Sequence, residues 1–152
     1  MTGPGPGTES PLVRHASAVA LGPSHDFGVL IEGPSGSGKS ALSLQLIALG
    51  GRLVADDRTR LAPLDGVPHV LAPERLAGVI EARGIGLIRV PHVISAPLKL
   101  IVDMGAAEPA RLPEQMTREI FGQRIRYIRR VDAPLLAGSI VALSNGGWFD
   151  DG

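Results

Sequence analysis

The chain has 152 residues, 15 lysines plus arginines against 15 aspartates plus glutamates, and no cysteine. That length suits one domain able to bury roughly two thirds of its unfolded surface, and the lack of cysteine excludes a disulfide framework, a cysteine nucleophile and a thiolate-bound metal. Zero formal charge with three Phe, one Tyr and one Trp argues against a nucleic-acid binder, which needs excess cations and stacking rings, and four scattered histidines leave little room for zinc.

Residues 1–11 (MTGPGPGTESP) hold three Gly and three Pro among small polar residues and are expected as a flexible tail. They lack the basic start and apolar core of a secretory signal, and no apolar run approaches the ~20 residues that span a bilayer. A cytoplasmic protein with no membrane or nucleic-acid partner is expected. Residues 15–21 (HASAVAL) and 28–32 (GVLIE) read as strands, joined across GPSHDF as a hairpin. Residues 40–49 (SALSLQLIAL) predict a helix that Gly50 and Gly51 stop. Residues 53–55 (LVA) predict a short strand ending in Asp56 and Asp57, and 73–78 a short helix at best. Residues 86–90 and 98–102 are strand candidates, 112–121 (LPEQMTREIF) a helix with Gly122 at its end, and 124–131 (RIRYIRRV) an edge strand. Residues 144–152 (SNGGWFDDG) are expected as a second tail, with Trp148 and Phe149 able to fold back, which leaves 12–143 as one domain. Strand, loop, helix, strand in the first half implies an α/β fold.

The sharpest signal is residues 33–40, GPSGSGKS, which match G-x-x-x-x-G-K-[ST] between a predicted strand and a predicted helix. Gly33, Gly36 and Gly38 let the backbone, with Pro34, Ser35 and Ser37 between them, fold around an anion with its N–H groups turned inward. The helix start, including Ala41, adds partial positive charge and free donors. Lys39, one of two lysines, is placed to reach the β- and γ-phosphates of ATP, and Ser40 to offer its hydroxyl to Mg²⁺. The plainer alternative is a Gly/Ser-rich turn capping a helix.

Such a loop needs a carboxylate at the end of a second strand. Residues 53–57 (LVADD) offer Asp56 and Asp57, and residues 98–103 (LKLIVD) offer Asp103. Strand length alone favours Asp103. Two adjacent acids that approach one site push one of their pKa values upward, which suits a proton acceptor; the alternative is two solvated acids paired with Arg58 or Arg60.

The run from His15 through GVLIEGPSGSGKS to LVADDRTRL, followed by IEARGIGLIRV (residues 80–90), resembles the catalytic domain of HPr kinase/phosphorylase over about residues 12–131. The resemblance to the short form of that family implies a phosphate-loop kinase core related to phosphoenolpyruvate carboxykinase, ATP and Mg²⁺ as cofactors, and a seryl residue of an HPr-type phosphocarrier of the bacterial phosphotransferase system as acceptor. It also implies a homo-oligomer, often a hexamer, and in many members the reverse reaction, in which phosphate attacks phosphoserine to yield pyrophosphate. By the same resemblance Asp56 is the catalytic carboxylate with Asp57 beside it, and His15 neighbours it. Glu81 is a metal-associated carboxylate, and Arg83 shapes the backbone with Gly84 and Gly86.

Departures are visible too. The stretch between His15 and the loop is longer than in the family's long enzymes. Residues 131–143, which align with a loop that supplies an arginine there, contain no basic residue, and the chain is expected to stop before the helices that dock the partner. Arg118, Arg124, Arg126, Arg129 and Arg130 form a local basic cluster, able to meet an acidic surface or a phosphate, or simply to guard a solvated edge strand. A small-molecule kinase or NTPase, and a nucleotide-binding regulatory module without turnover, are the competing readings.

Overall fold

The computed structural model describes residues 12–151. Along them run β1 (Leu12–Arg14), β2 (Ala16–Leu21), β3 (Phe27–Glu32), α1 (Lys39–Ala48), β4 (Arg52–Ala55), β5 (Thr59–Leu64), β6 (Val67–Leu71), β7 (Val79–Ala82) and β8 (Gly86–Arg89). There follow β9 (Ser95–Ala107), β10 (Met116–Ile120), β11 (Gln123–Arg130), α2 (Ala133–Gly146) and a 3₁₀ turn at Phe149–Asp151. The fold is α/β, with a mixed sheet ordered β1-β5-β6-β9-β3-β2-β4. To it β11 adds beside β9 and β10 beside β11, and β7 and β8 form a separate hairpin. Among the named strands, β9 pairs in parallel with β3 and with β11, and the remaining ladders are antiparallel.

Strand β9 joins two halves of the molecule. Its first residues, 95–97, pair with β6, after which it runs beside β3 from Leu98 and beside β11 from Leu100. Alternation along the central strands sorts side chains to two faces. Val19, Val29, Ile31, Leu100 and Val102 meet Leu42 and Leu46 of α1 and Leu136 and Ile140 of α2. Ala18, Ala20, Leu30 and Ile101 turn the other way, toward Leu61 and Val70 of the β5–β6 hairpin and Ile125 and Tyr127 of β11. Fully burying one such aliphatic side chain is worth ~1.5–3 kcal/mol. The loop at the end of β3 is therefore mounted on a strand packed on both sides.

Several expectations are corrected by the fold. Residues 112–121 are not a helix; 116–120 form β10, hairpinned to β11. Phe121 (φ 47°) and Gly122 (φ 78°) make the two-residue turn whose left-handed backbone matches hairpin twist. The glycine that reads as a helix stop is thus a turn residue, and Met116 opposite Tyr127 with Ile120 buried lets strand packing override helix propensity. Strand β11 lies between β9 and β10, so it is not an edge. Residues 73–78 hold only bends and the start of a turn.

Residues 131–143 fold largely into α2, with Pro134 in its first turn and Leu136, Ala137 and Ile140 buried. That helix continues to Gly146, past the expected domain boundary at 143, and Trp148 packs against the core. The hairpin of β5 and β6 turns at Asp65 (φ 52°) and Gly66 (φ 78°), an Asp-Gly signal masked in the sequence by Pro63 and Pro68, which face each other across the pair. The expected tail at 1–11 lies outside the described residues. Among the described residues no helix is long and apolar enough to cross a membrane.

Candidate active site

The phosphate-loop motif lies between the end of β3 and the first turn of α1. Gly38 occupies the N-cap position with φ 100°, a left-handed conformation that favours glycine. Among the described residues no side chain caps α1, and its first turn carries no acid. Its leading amides are therefore left to an anion. Lys39 is buried and folds back over the loop, its Nζ donating to Gly33 O (2.7 Å) and Pro34 O (3.1 Å). Gly33 has φ 146°, and a Cβ there would lie 2.5 Å from Ser37 Oγ, so the loop closes only around a bare backbone. The Ser37 hydroxyl is itself buried with no hydrogen-bond partner among the described residues.

The acids reach this loop through an irregularity in the sheet. The β2–β4 register slips between Ala18, which faces Ala55, and Val19, which faces Leu53. The extra residue, Val54, makes a bulge that bends β4 at its end. Asp56, the next residue after β4, then meets α1: its Oδ1 accepts from Ser40 Oγ at 2.9 Å and from Ser17 Oγ at 3.1 Å, while Oδ2 accepts from the Glu81 amide at 3.3 Å. Asp57 stands in the left-handed region (φ 67°) with its amide donating to Ser17 Oγ at 3.2 Å. Its carboxylate is 70% exposed, and Oδ1 lies 3.4 Å from His15 Nε2. Beside them is a cavity of about 460 Å³ whose walls include Lys39, Ser40, Asp56, Asp57, Glu81 and Arg83.

Nearly all the sequence candidates therefore converge, with adjustments. His15 reaches Asp57, not Asp56. Glu81 is exposed on the cavity wall, and the hydrogen bond it makes to the site comes from its backbone, placed by the β7–β8 hairpin. Arg83 is also among the residues lining the cavity. Asp103 is not among the lining residues. Its Oδ2 accepts from Tyr127 Oη at 2.6 Å and its Oδ1 from the Gly105 amide at 2.8 Å. Burial, and then the hydrogen bond to that carboxylate, raise the Tyr127 hydroxyl above its ordinary pKa of 10.

The five arginines do not form one patch. Arg118 stacks on Tyr127 (4.1 Å), whereas Arg126 stacks on Trp148 (3.7 Å) and pairs with Asp150, and Arg130 donates to Met104 O. Sequence reading does not single out the fully buried Ser17, which contacts both acids. Its signal was a lone hydroxyl in an otherwise apolar strand, ASAVAL.

The donor set suits magnesium. Among the described residues no three His, Cys, Asp or Glu side chains form a protein-built cage. Ser40 Oγ and the Asp56 carboxylate, in contact on the cavity wall, would instead offer a sparse oxygen set suited to an ion that takes its other ligands from phosphates and water.

Comparison with known proteins points the same way. A family model described as HPr Serine kinase C-terminal domain matches residues 14–129. HPr kinase/phosphorylase of Xylella fastidiosa (strain M12) is 36% identical over 124 residues, covering 74% of this chain and 38% of the relative. The same identity and coverage hold for HPr kinase/phosphorylase of Stenotrophomonas maltophilia (strain K279a), so the chain spans 38% of the length of these curated relatives. The solved Hpr(Ser) kinase/phosphatase from Coxiella burnetii superposes with a TM-score of 0.70 at 27% identity, covering 87% of each chain. A phosphate loop facing paired aspartates on a two-sided sheet, a family match across three quarters of the chain and a shared fold lead to one conclusion: the chain belongs to the HPr serine kinase C-terminal domain family.

Proposed function

We propose that this chain is a protein-serine kinase that transfers the γ-phosphoryl group of ATP to a seryl hydroxyl of an HPr-type phosphocarrier. The observation that carries this reading is the placement of Asp56 against Ser40 with Asp57 open to the same cavity. Phosphoryl transfer asks the protein for positioning and charge stabilisation, and each part has a residue to supply it. The α1 amides and Lys39 hold the oligophosphate. Ser40 and Asp56 would hold Mg²⁺, with Glu81 lining the same cavity. The bound ion would neutralise charge on the transferring group.

Asp56 receives three hydrogen bonds, from two hydroxyls and an amide. Both of its oxygens are thereby engaged, Oδ1 by two hydroxyls and Oδ2 by the Glu81 amide. Asp57 receives none of these three donors at its carboxylate and faces the cavity with His15 beside it. We therefore assign proton acceptance to Asp57 and the metal-side role to Asp56, whereas the family resemblance makes Asp56 the catalytic carboxylate. In the forward direction the seryl oxygen attacks phosphorus, its proton passes to Asp57 Oδ, and the bond to the β-phosphate oxygen breaks to release ADP. In the reverse direction a phosphate oxygen gives its proton to Asp57 and attacks the phosphoserine phosphorus, the bond from phosphorus to the seryl oxygen breaks, and Asp57 passes the proton to that oxygen, leaving pyrophosphate and serine. The family resemblance further supports a homo-oligomer working in the cytoplasm.

The test is incubation of the purified chain with labelled ATP, Mg²⁺ and a purified HPr-type phosphocarrier. Acid-stable label on one serine of the carrier is expected, and none with the Lys39→Ala chain. Free phosphate with no labelled protein would instead identify an NTPase.

A further inference from the structure

Ser17 lies near the start of β2, on the face that Val19 and Leu21 share with α1, and is fully buried. A buried serine in a strand ordinarily satisfies its hydroxyl on nearby backbone. Here both partners are distant in sequence and both belong to the cavity wall. The hydroxyl donates to Asp56 Oδ1 at 3.1 Å, 39 residues away, and accepts the Asp57 amide at 3.2 Å, 40 residues away. One oxygen thus uses its single proton on one acid and a lone pair on the next residue's backbone. Asp57 has left the β ladder for a left-handed backbone that non-glycine residues rarely adopt, and Ser17 holds its amide there. Asp56 Oδ1 is meanwhile shared between Ser17 and Ser40, so the same hydroxyl sets where the carboxylate sits relative to α1.

We propose that Ser17 is a positioning residue for phosphoryl transfer, a clamp that fixes the metal-side Asp56 and the proton-accepting Asp57 as one unit. This rests on the kinase reading above. Ser17 touches no cavity space of its own, since it is absent from the lining. Its effect must pass through the two acids, and misplacing a base by a fraction of an ångström costs turnover far more than it costs nucleotide binding.

The experiment compares the full chain with Ser17→Ala and Ser17→Thr, using labelled ATP, Mg²⁺ and the HPr-type phosphocarrier, with amide hydrogen exchange followed by NMR on the same samples. Ser17→Ala is expected to lower kcat by about 10–100-fold while the Kd for Mg·ATP stays within about twofold. The Asp57 amide should exchange at least about tenfold faster as amides of the β3 core keep their protection. Ser17→Thr, which retains the hydroxyl, should recover most of the rate. Parental kcat in Ser17→Ala, parental exchange at Asp57, or a threonine variant no better than alanine would each overturn the clamp. So would a loss of kcat matched by equal losses of nucleotide affinity and β3 protection, which marks a merely structural serine. If the parental chain labels no serine at all, the kinase reading fails, and exchange at Asp57 alone still decides whether Ser17 holds it.

Discussion

Asp56 and Asp103 occupy comparable places in this fold, each near the end of a strand close to the phosphate loop, yet they have opposite fates. Asp103 sits on β9, level with Glu32 of β3 and so immediately below the loop. Both its oxygens are engaged away from the cavity, by Tyr127 Oη and the Gly105 amide. Asp56 sits two strands across on the other side, beyond β2, and a bulge turns it toward Ser40. Nearness to the loop along the chain or the sheet does not make a carboxylate functional. The face it points to and the donors already bound to it decide that.

The contrast can be broken most severely at the loop itself. Lys39→Ala removes the buried ammonium between the loop carbonyls and the phosphates, and should raise the Kd for Mg·ATP by about 100-fold or more in calorimetry, ~3 kcal/mol. Comparable in size, Asp57→Asn should lower kcat by about 100-fold with ATP affinity nearly intact, read by steady-state labelling of the carrier. Asp56→Asn should instead raise the Mg²⁺ concentration needed for half-maximal rate. An Asp56→Asn chain with parental Mg²⁺ dependence and the larger loss of kcat would return the proton to Asp56. Asp103→Asn sharpens the comparison from the other side: kcat should change less than about twofold, while urea unfolding should show ~1–2 kcal/mol lost with the Tyr127 hydrogen bond.

The smallest effect is a pH dependence of stability. Because the folded state holds the Tyr127 hydroxyl above pKa 10, the native chain binds more protons than the unfolded chain in the window that opens at pH 10. Stability is then full below pH 10 and falls as pH rises through the folded value. Tyr127→Phe should lose less stability than the parental chain between pH 9 and pH 11 in urea titrations. An equal loss in both would remove Tyr127 as the source.

Much of the fold could be read in advance where local signals agree. The β2–β3 hairpin, α1 with its glycine stop and the short β4 all follow from patterns within a dozen residues. Misreadings fall where one residue type serves two geometries. Gly122 suits both a helix end and a hairpin turn, and only the partner strand tells them apart. Pro63 and Pro68 hide strands because prolines normally deny ladder bonds, yet they face each other beyond the reach of β1 and β9. Among the site residues, His15 lies 3.4 Å from Asp57, where the resemblance puts it beside Asp56, and Ser17 escapes a sequence reading because an alternating strand gives no hint of a hydrogen bond across 39 residues.

The sequence by itself determined where the candidate phosphate loop lies, because that geometry is local: glycines, one lysine and a helix start fall among eight neighbouring residues. Tertiary structure alone decided which carboxylate stands on the cavity wall and that the two adjacent aspartates hold different partners. Those outcomes depend on strand order, a one-residue bulge and a buried hydroxyl, and each arises only when distant segments pack together.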